Sequence, residues 1–273
     1  TDESDGYTEA WYLPVARNIP TGYAHYGSKY EYFRLKFLLK RGVPWIPGSA
    51  TFQYPNDQAA STLWYHDHSL GMTRLNVYAG PAGFYHVRGG DYDLQDGTLP
   101  GPAPMLGDPA GRPYFEVPLA IQDRSFNADG SLFYPSSREF FDGFAGPYIP
   151  DSDVSPTWNP EFFANAMVVN GRTWPKMTVE PRRYRFRLLN GCNSRFMILR
   201  LTTVNAEAAA DPVTGNWPPA ATVPMWRIGA SGGFLPGALE QRDILLAPAE
   251  RADVIVDFSD MPAGTKVYMV NLG

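Results

Sequence analysis

The segment at residues 183–188 constrains the fold most. Arg183, Arg185 and Arg187 alternate with Tyr184, Phe186 and Leu188. Successive side chains of an extended strand point to opposite faces, so this order puts three apolar groups on one side and three guanidinium groups on the other. The segment reads as a half-buried strand with a long-armed charged face. The same alternation is found at residues 32–39, where Phe33, Leu35 and Phe37 oppose Arg34 and Lys36. Further strand candidates are residues 51–54, 62–68, 83–87, 115–122, 196–201, 243–246, 254–258 and 266–271. Asn170-Gly171, between 167–169 and 173–174, predicts a two-residue hairpin turn. Only residues 69–78 read as a short helix. With 26 Gly and 26 Pro in 273 residues, many short strands joined by turns are expected. The predicted class is all-β, a sandwich or Greek-key barrel.

Between Gly89 and Pro113 the chain turns to Gly, Pro and Asp and loses its periodicity. A linker over 90–114 is expected there, dividing a first unit, 1–89, from a second, 115–273. Residues 16–48 contain the Tyr- and Gly-rich run Gly22-Tyr23-Ala24-His25-Tyr26-Gly27 and read as a surface insertion. The formal charge is −5, and basic residues cluster only as local pairs such as Lys40-Arg41 and Arg182-Arg183. Nucleic-acid binding needs a basic face, so no nucleic-acid partner is expected. No apolar run has membrane-spanning length, and Thr1 opens an acidic, polar stretch unlike a signal peptide. A processed or clipped piece is expected, and its start does not identify a compartment.

Trp64-Tyr65-His66-Asp67-His68 is the sharpest chemical signal. In a strand, His66 and His68 share a face. Two imidazoles side by side suit a borderline metal such as copper or zinc. A bare H-x-H is equally compatible with two histidines that have no ligand role.

The wider context resembles a known family. Leu63-Trp64-Tyr65-His66-Asp67-His68, followed by Met72-Thr73-Arg74-Leu75-Asn76-Val77-Tyr78-Ala79-Gly80, closely resembles the second copper motif of spore-coat laccases, relatives of bilirubin oxidases and phenoxazinone synthase. The resemblance continues at Asp5-Gly6-Tyr7, Val169-Asn170-Gly171, Glu180–Arg187 and Leu246–Arg251, and is weakest around 16–48. It implies tandem cupredoxin-like domains, the first lacking its N-terminal part. These belong to a three-domain oxidase that takes single electrons from a substrate and reduces dioxygen to water at a trinuclear copper cluster. His66 and His68 would each ligate one of the paired type 3 coppers. The other ligands would come from an upstream H-x-H-G segment and a third cupredoxin domain that also holds the type 1 copper. With four histidines in all, this chain falls short of a complete cluster. The resemblance also implies a small-molecule reductant (a phenol, aromatic amine, tetrapyrrole or metal ion) and favours an extracytoplasmic setting. By the resemblance, Asp5 would lie near the type 2 copper and help deliver protons; by their residues alone, Asp2, Glu3 and Asp5 read instead as a solvated acidic loop with Asp5-Gly6 as a turn.

Other residues read as structural. His86 alternates within a strand and is expected to be satisfied there, and His25 is expected to be exposed. Cys192, the one cysteine, has no nearby histidine and reads as a small buried residue. Gly229-Ala230-Ser231-Gly232-Gly233 matches a hydrolase nucleophile pattern. However, Pro236 stands where the helix should begin and no histidine follows, so a glycine turn is expected. Two rival functions remain: a zinc hydrolase with H-x-H at a strand end, which needs alternating strands and helices, and a non-catalytic cupredoxin-like binding protein.

Overall fold

The computed structural model describes residues 12, 20–46, 54–68, 73–135, 139–143, 161–203 and 222–273. They form α1 (Tyr30–Arg41), β1 (Ser61–His66), α2 (Thr73–Ala79), β2 (Ala82–Val87), β3 (Glu116–Phe126), β4 (Leu132–Phe133), α3 (Glu139–Asp142), β5 (Ala166–Val169) and β6 (Arg172–Thr173). Then follow β7 (Arg183–Asn190), β8 (Met197–Thr202), β9 (Thr222–Val223), β10 (Met225–Ala230), β11 (Gly233–Gln241), β12 (Asp243–Leu246), β13 (Arg251–Asp257) and β14 (Tyr268–Asn271). The all-β expectation holds. Among the described residues, no helix is long and apolar enough to cross a membrane.

The chain divides into two compact units: residues 1–57 with 65–82, and residues 58–64 with 83–273. In the smaller unit, Tyr30, Phe33 and Phe37 of α1 pack with Trp45 and Tyr12. This corrects the strand expected over 32–39. Phe33 and Phe37 fit a helical i, i+4 spacing as well as an alternating one. The helix leaves Leu35 and Leu39 exposed, at 51% and 79%, and Gly42 closes it in the left-handed conformation at φ 71.

The larger unit is a β-sandwich. One sheet has the order β11-β10-β13-β7-β3-β5-β6, with β4 on β3; the other has β12-β8-β14, with β9 on β8. The neighbours are antiparallel except β3 and β7, which run parallel. The core joins Tyr184, Phe186 and Leu188 of β7, Val254 and Val256 of β13, Met197, Leu199 and Leu201 of β8, and Ile244 and Leu246 of β12. These are the apolar positions of the alternating segments, so side-chain period alone explains which face turns inward. The hairpin expected at Asn170-Gly171 joins β5 to β6, with both turn residues at positive φ. Ser231 and Gly232 form the turn between β10 and β11, and Ser231 Oγ accepts from the Arg251 backbone N–H at 3.2 Å. The nucleophile-like pattern is therefore a structural turn. β1 and β2 form a separate two-stranded sheet.

Candidate metal centre

His66 ends β1, two residues short of the strand expected over 62–68, and His68 follows in irregular backbone. The pair is nevertheless brought together: the ring centroids lie 5.8 Å apart at an interplanar angle of 42°. Tyr65, on the alternate face, is 61% exposed. His66 Nδ1 donates to the carbonyl oxygen of Asp67 at 2.6 Å. A carbonyl only accepts, so this bond puts the ring proton on Nδ1 and the lone pair on Nε2. A backbone carbonyl on one nitrogen is the usual way a ligating imidazole is oriented and its tautomer chosen. The residues present thus fit an imidazole-bound metal such as copper. Among the described residues, no group of three or more His, Cys, Asp or Glu side chains gathers that could hold a metal ion. Asp5 lies outside the described residues.

The remaining histidines and the cysteine take other roles. His25 is exposed. Cys192 is buried, and burial together with the Asp123 carboxylate pushes its thiol up to about 12. It is therefore a protonated packing group, far from thiolate ligation. His86 departs from the expectation of a satisfied histidine. Arg88 Nη2 donates to its Nδ1 at 3.3 Å, while Nε2 is buried without a hydrogen-bond partner. Burial and the nearby charges of Arg187 and Arg88 lower its pKa to about 4, so the ring is neutral around pH 7.

That histidine borders a feature that sequence reasoning missed. Arg185 and Arg187, expected on a charged strand face, are each only 4% exposed. In the sheet, Arg185 stands opposite Glu116 and Arg187 opposite Asp253, yet each reaches diagonally to the other acid. Arg185 donates from Nη2 to Asp253 at 2.5 Å and from Nε at 2.9 Å. Arg187 Nε donates to Glu116 at 2.5 Å, and its Nη1 donates to the Thr62 hydroxyl at 2.6 Å. Arg88, just past β2, forks onto both Glu116 oxygens at 2.7 and 3.0 Å. Arg251 Nε donates to the Thr62 carbonyl at 2.8 Å. Burial alone would raise the Glu116 pKa, but the Arg88 hydrogen bonds and the charges of Arg187, Arg185 and Arg88 outweigh it and hold the carboxyl down at about 2. The available signal was two acids beside apolar runs, Glu116 before residues 117–121 and Asp253 between Ala252 and residues 254–256.

No family model matches the chain. It is 37% identical over 257 residues to a laccase of Bacillus stratosphericus, covering 94% of this chain and 38% of that protein. It is 36% identical over 258 residues to a laccase of Bacillus subtilis, with the same coverage of both. The chain thus spans about 38% of the length of these curated relatives. Among solved structures, it resembles a variant of the multicopper oxidase McoA of Aquifex aeolicus at 28% identity and a TM-score of 0.58, covering 78% of this chain and 37% of that one. The likeness supports a cupredoxin-type sandwich, and the all-β topology removes the zinc hydrolase built from alternating strands and helices.

Proposed function

We propose that this chain, which belongs to the multicopper oxidase family, forms part of a laccase-like oxidase and supplies two histidines to its copper cluster. The observation that carries this reading is the His66–His68 pair, brought to a ring separation of 5.8 Å in a chain 37% identical to a laccase. Each imidazole would ligate one copper of the type 3 pair. The Asp67 carbonyl orients His66 and leaves Nε2 as its donor atom. Bound copper supplies the one-electron chemistry and the site of dioxygen reduction, which protein side chains do not provide. The remaining ligands, the type 1 copper and the contacts that select a reductant would come from the rest of the enzyme. Residues 1–89 and 115–273 are proposed as its first and second cupredoxin domains, joined by 90–114. The substrates are proposed to be phenols, aromatic amines, tetrapyrroles or low-valent metal ions.

The full-length, copper-loaded enzyme is expected to consume dioxygen when given a phenol or aromatic amine, and to lose that activity when copper is removed. Oxygen uptake that is absent, or unchanged without copper, would overturn the proposal.

Asp5 is proposed as a proton donor near the cluster. Reducing dioxygen to water consumes protons, and a carboxyl can take a proton on Oδ from solvent and pass it inward. Asp5→Asn keeps the size and removes the titrating group. Turnover is expected to fall by ~10²-fold, with copper content and anaerobic bleaching of the blue band unchanged. Unaltered turnover with an unaltered pH dependence would leave Asp5 as an acidic turn residue.

A further inference from the structure

We propose that Arg187 and Arg251 are positioning residues for the histidine pair, acting through Thr62 on the strand that carries His66. Both arginines converge on this one residue: Arg187 Nη1 holds its hydroxyl at 2.6 Å and Arg251 Nε holds its carbonyl at 2.8 Å. Thr62 is 2% exposed, so water competes for neither acceptor. His66 lies four residues further along the same strand.

The strand needs such an anchor. β1 pairs only with β2 among the described residues, and a two-stranded ribbon is marginal without external packing. The Arg251 guanidinium bonds the Thr62 carbonyl directly. Glu116 supplies the rigidity behind it, because one carboxylate binds both Arg187 of β7 and Arg88 just past the end of β2. Both strands of the ribbon are therefore tied to the same acid. Metal ligands lose affinity when the groups that orient them are loosened. The ion-pair cluster thereby becomes part of the support of the metal site as well as of the fold. This inference rests on the ligand reading of His66 and His68.

The test uses the full-length, copper-loaded enzyme. Thr62→Val keeps the shape but removes the hydroxyl, whereas Thr62→Ser keeps the hydroxyl. Arg251→Gln lies outside the ion-pair cluster and weakens the second bond without leaving a buried acid unpaired. Type 3 copper in Thr62→Val and Arg251→Gln is expected to be lost to a chelator about 10-fold more readily than in the parent. Its spectroscopic signature should fade while the type 1 band persists, and Thr62→Ser should match the parent. Equal loss of both copper classes, or unchanged retention of type 3 copper, would overturn the positioning role. His68→Ala measured alongside separates the two ideas. If it alone releases type 3 copper, the positioning role falls and the ligand reading stands. If His68→Ala also retains that copper, the ligand reading falls and the positioning role falls with it.

Discussion

His68→Ala in the full-length enzyme is expected to reduce dioxygen turnover to background while leaving the blue type 1 absorption largely intact. On the proposed function, the ligand pair would serve the cluster that binds oxygen, whereas the blue band would arise from a copper held elsewhere in the full-length enzyme. Alanine removes the imidazole nitrogens and puts nothing in their place, so one metal of the proposed pair would lose a ligand. His68 is exposed in irregular backbone after β1, so its truncation opens no cavity in this chain's core. Exposed substitutions of this kind usually change stability within about 0.5 kcal/mol. Loss of function without loss of fold is therefore the expected pattern. Anaerobic reduction of the blue band by substrate should proceed, while reoxidation by air should stall. Reoxidation at the parent rate, or a vanished blue band with oxygen turnover intact, would show that His68 has a different role.

The second large effect concerns Glu116. Its side chain is 5% exposed and faces Arg88, Arg187 and, at 3.7 Å, Arg185. Glu116→Gln preserves the shape but leaves three guanidinium groups with Asp253 as the remaining acid of this cluster. Removing one partner of a buried ion pair costs about 3–5 kcal/mol, mostly because the other charge stays buried. Stability should also depend on pH in a defined direction. The carboxyl titrates near 2 in the fold against an ordinary 4.5. The stability it contributes is thus present above 4.5 and is lost as the pH falls toward 2. His86 titrates near 4 in the fold against an ordinary 6.5. The unfolded chain takes up that proton first, so stability also declines as the pH drops from 6.5 toward 4. Both groups act with the same sign, and the parent should weaken steadily from about pH 6.5 downward. Glu116→Gln should be less stable at neutral pH and should have a shallower slope below 4.5, where only His86 then contributes, while keeping the slope above 4.5. Urea midpoints measured across this range would decide the matter. A midpoint unchanged at pH 7, or a slope below 4.5 equal to the parent's, would show that the cluster is not held by this carboxylate.

Much of the architecture was legible because side-chain alternation is a local property. The order from Arg183 to Leu188 already assigned Tyr184, Phe186 and Leu188 to the core, and Asn170-Gly171 supplied the positive φ values of its turn. The closeness of His66 and His68 was legible from their separation of two residues, although β1 ends at His66 and alternation does not extend to His68. Where local patterns are degenerate, tertiary packing decided. Residues 32–39 satisfy an alternating pattern and a helical one, and burial of Phe33 and Phe37 against Trp45 selects the helix. The arginine face of β7 was visible in the sequence, but its burial was not. Arg187 meets Glu116 across 71 residues of chain and Thr62 across 125, and Arg185 meets Asp253 across 68. A guanidinium belongs in water unless an acid is folded over it, and only the tertiary structure brings those acids within reach.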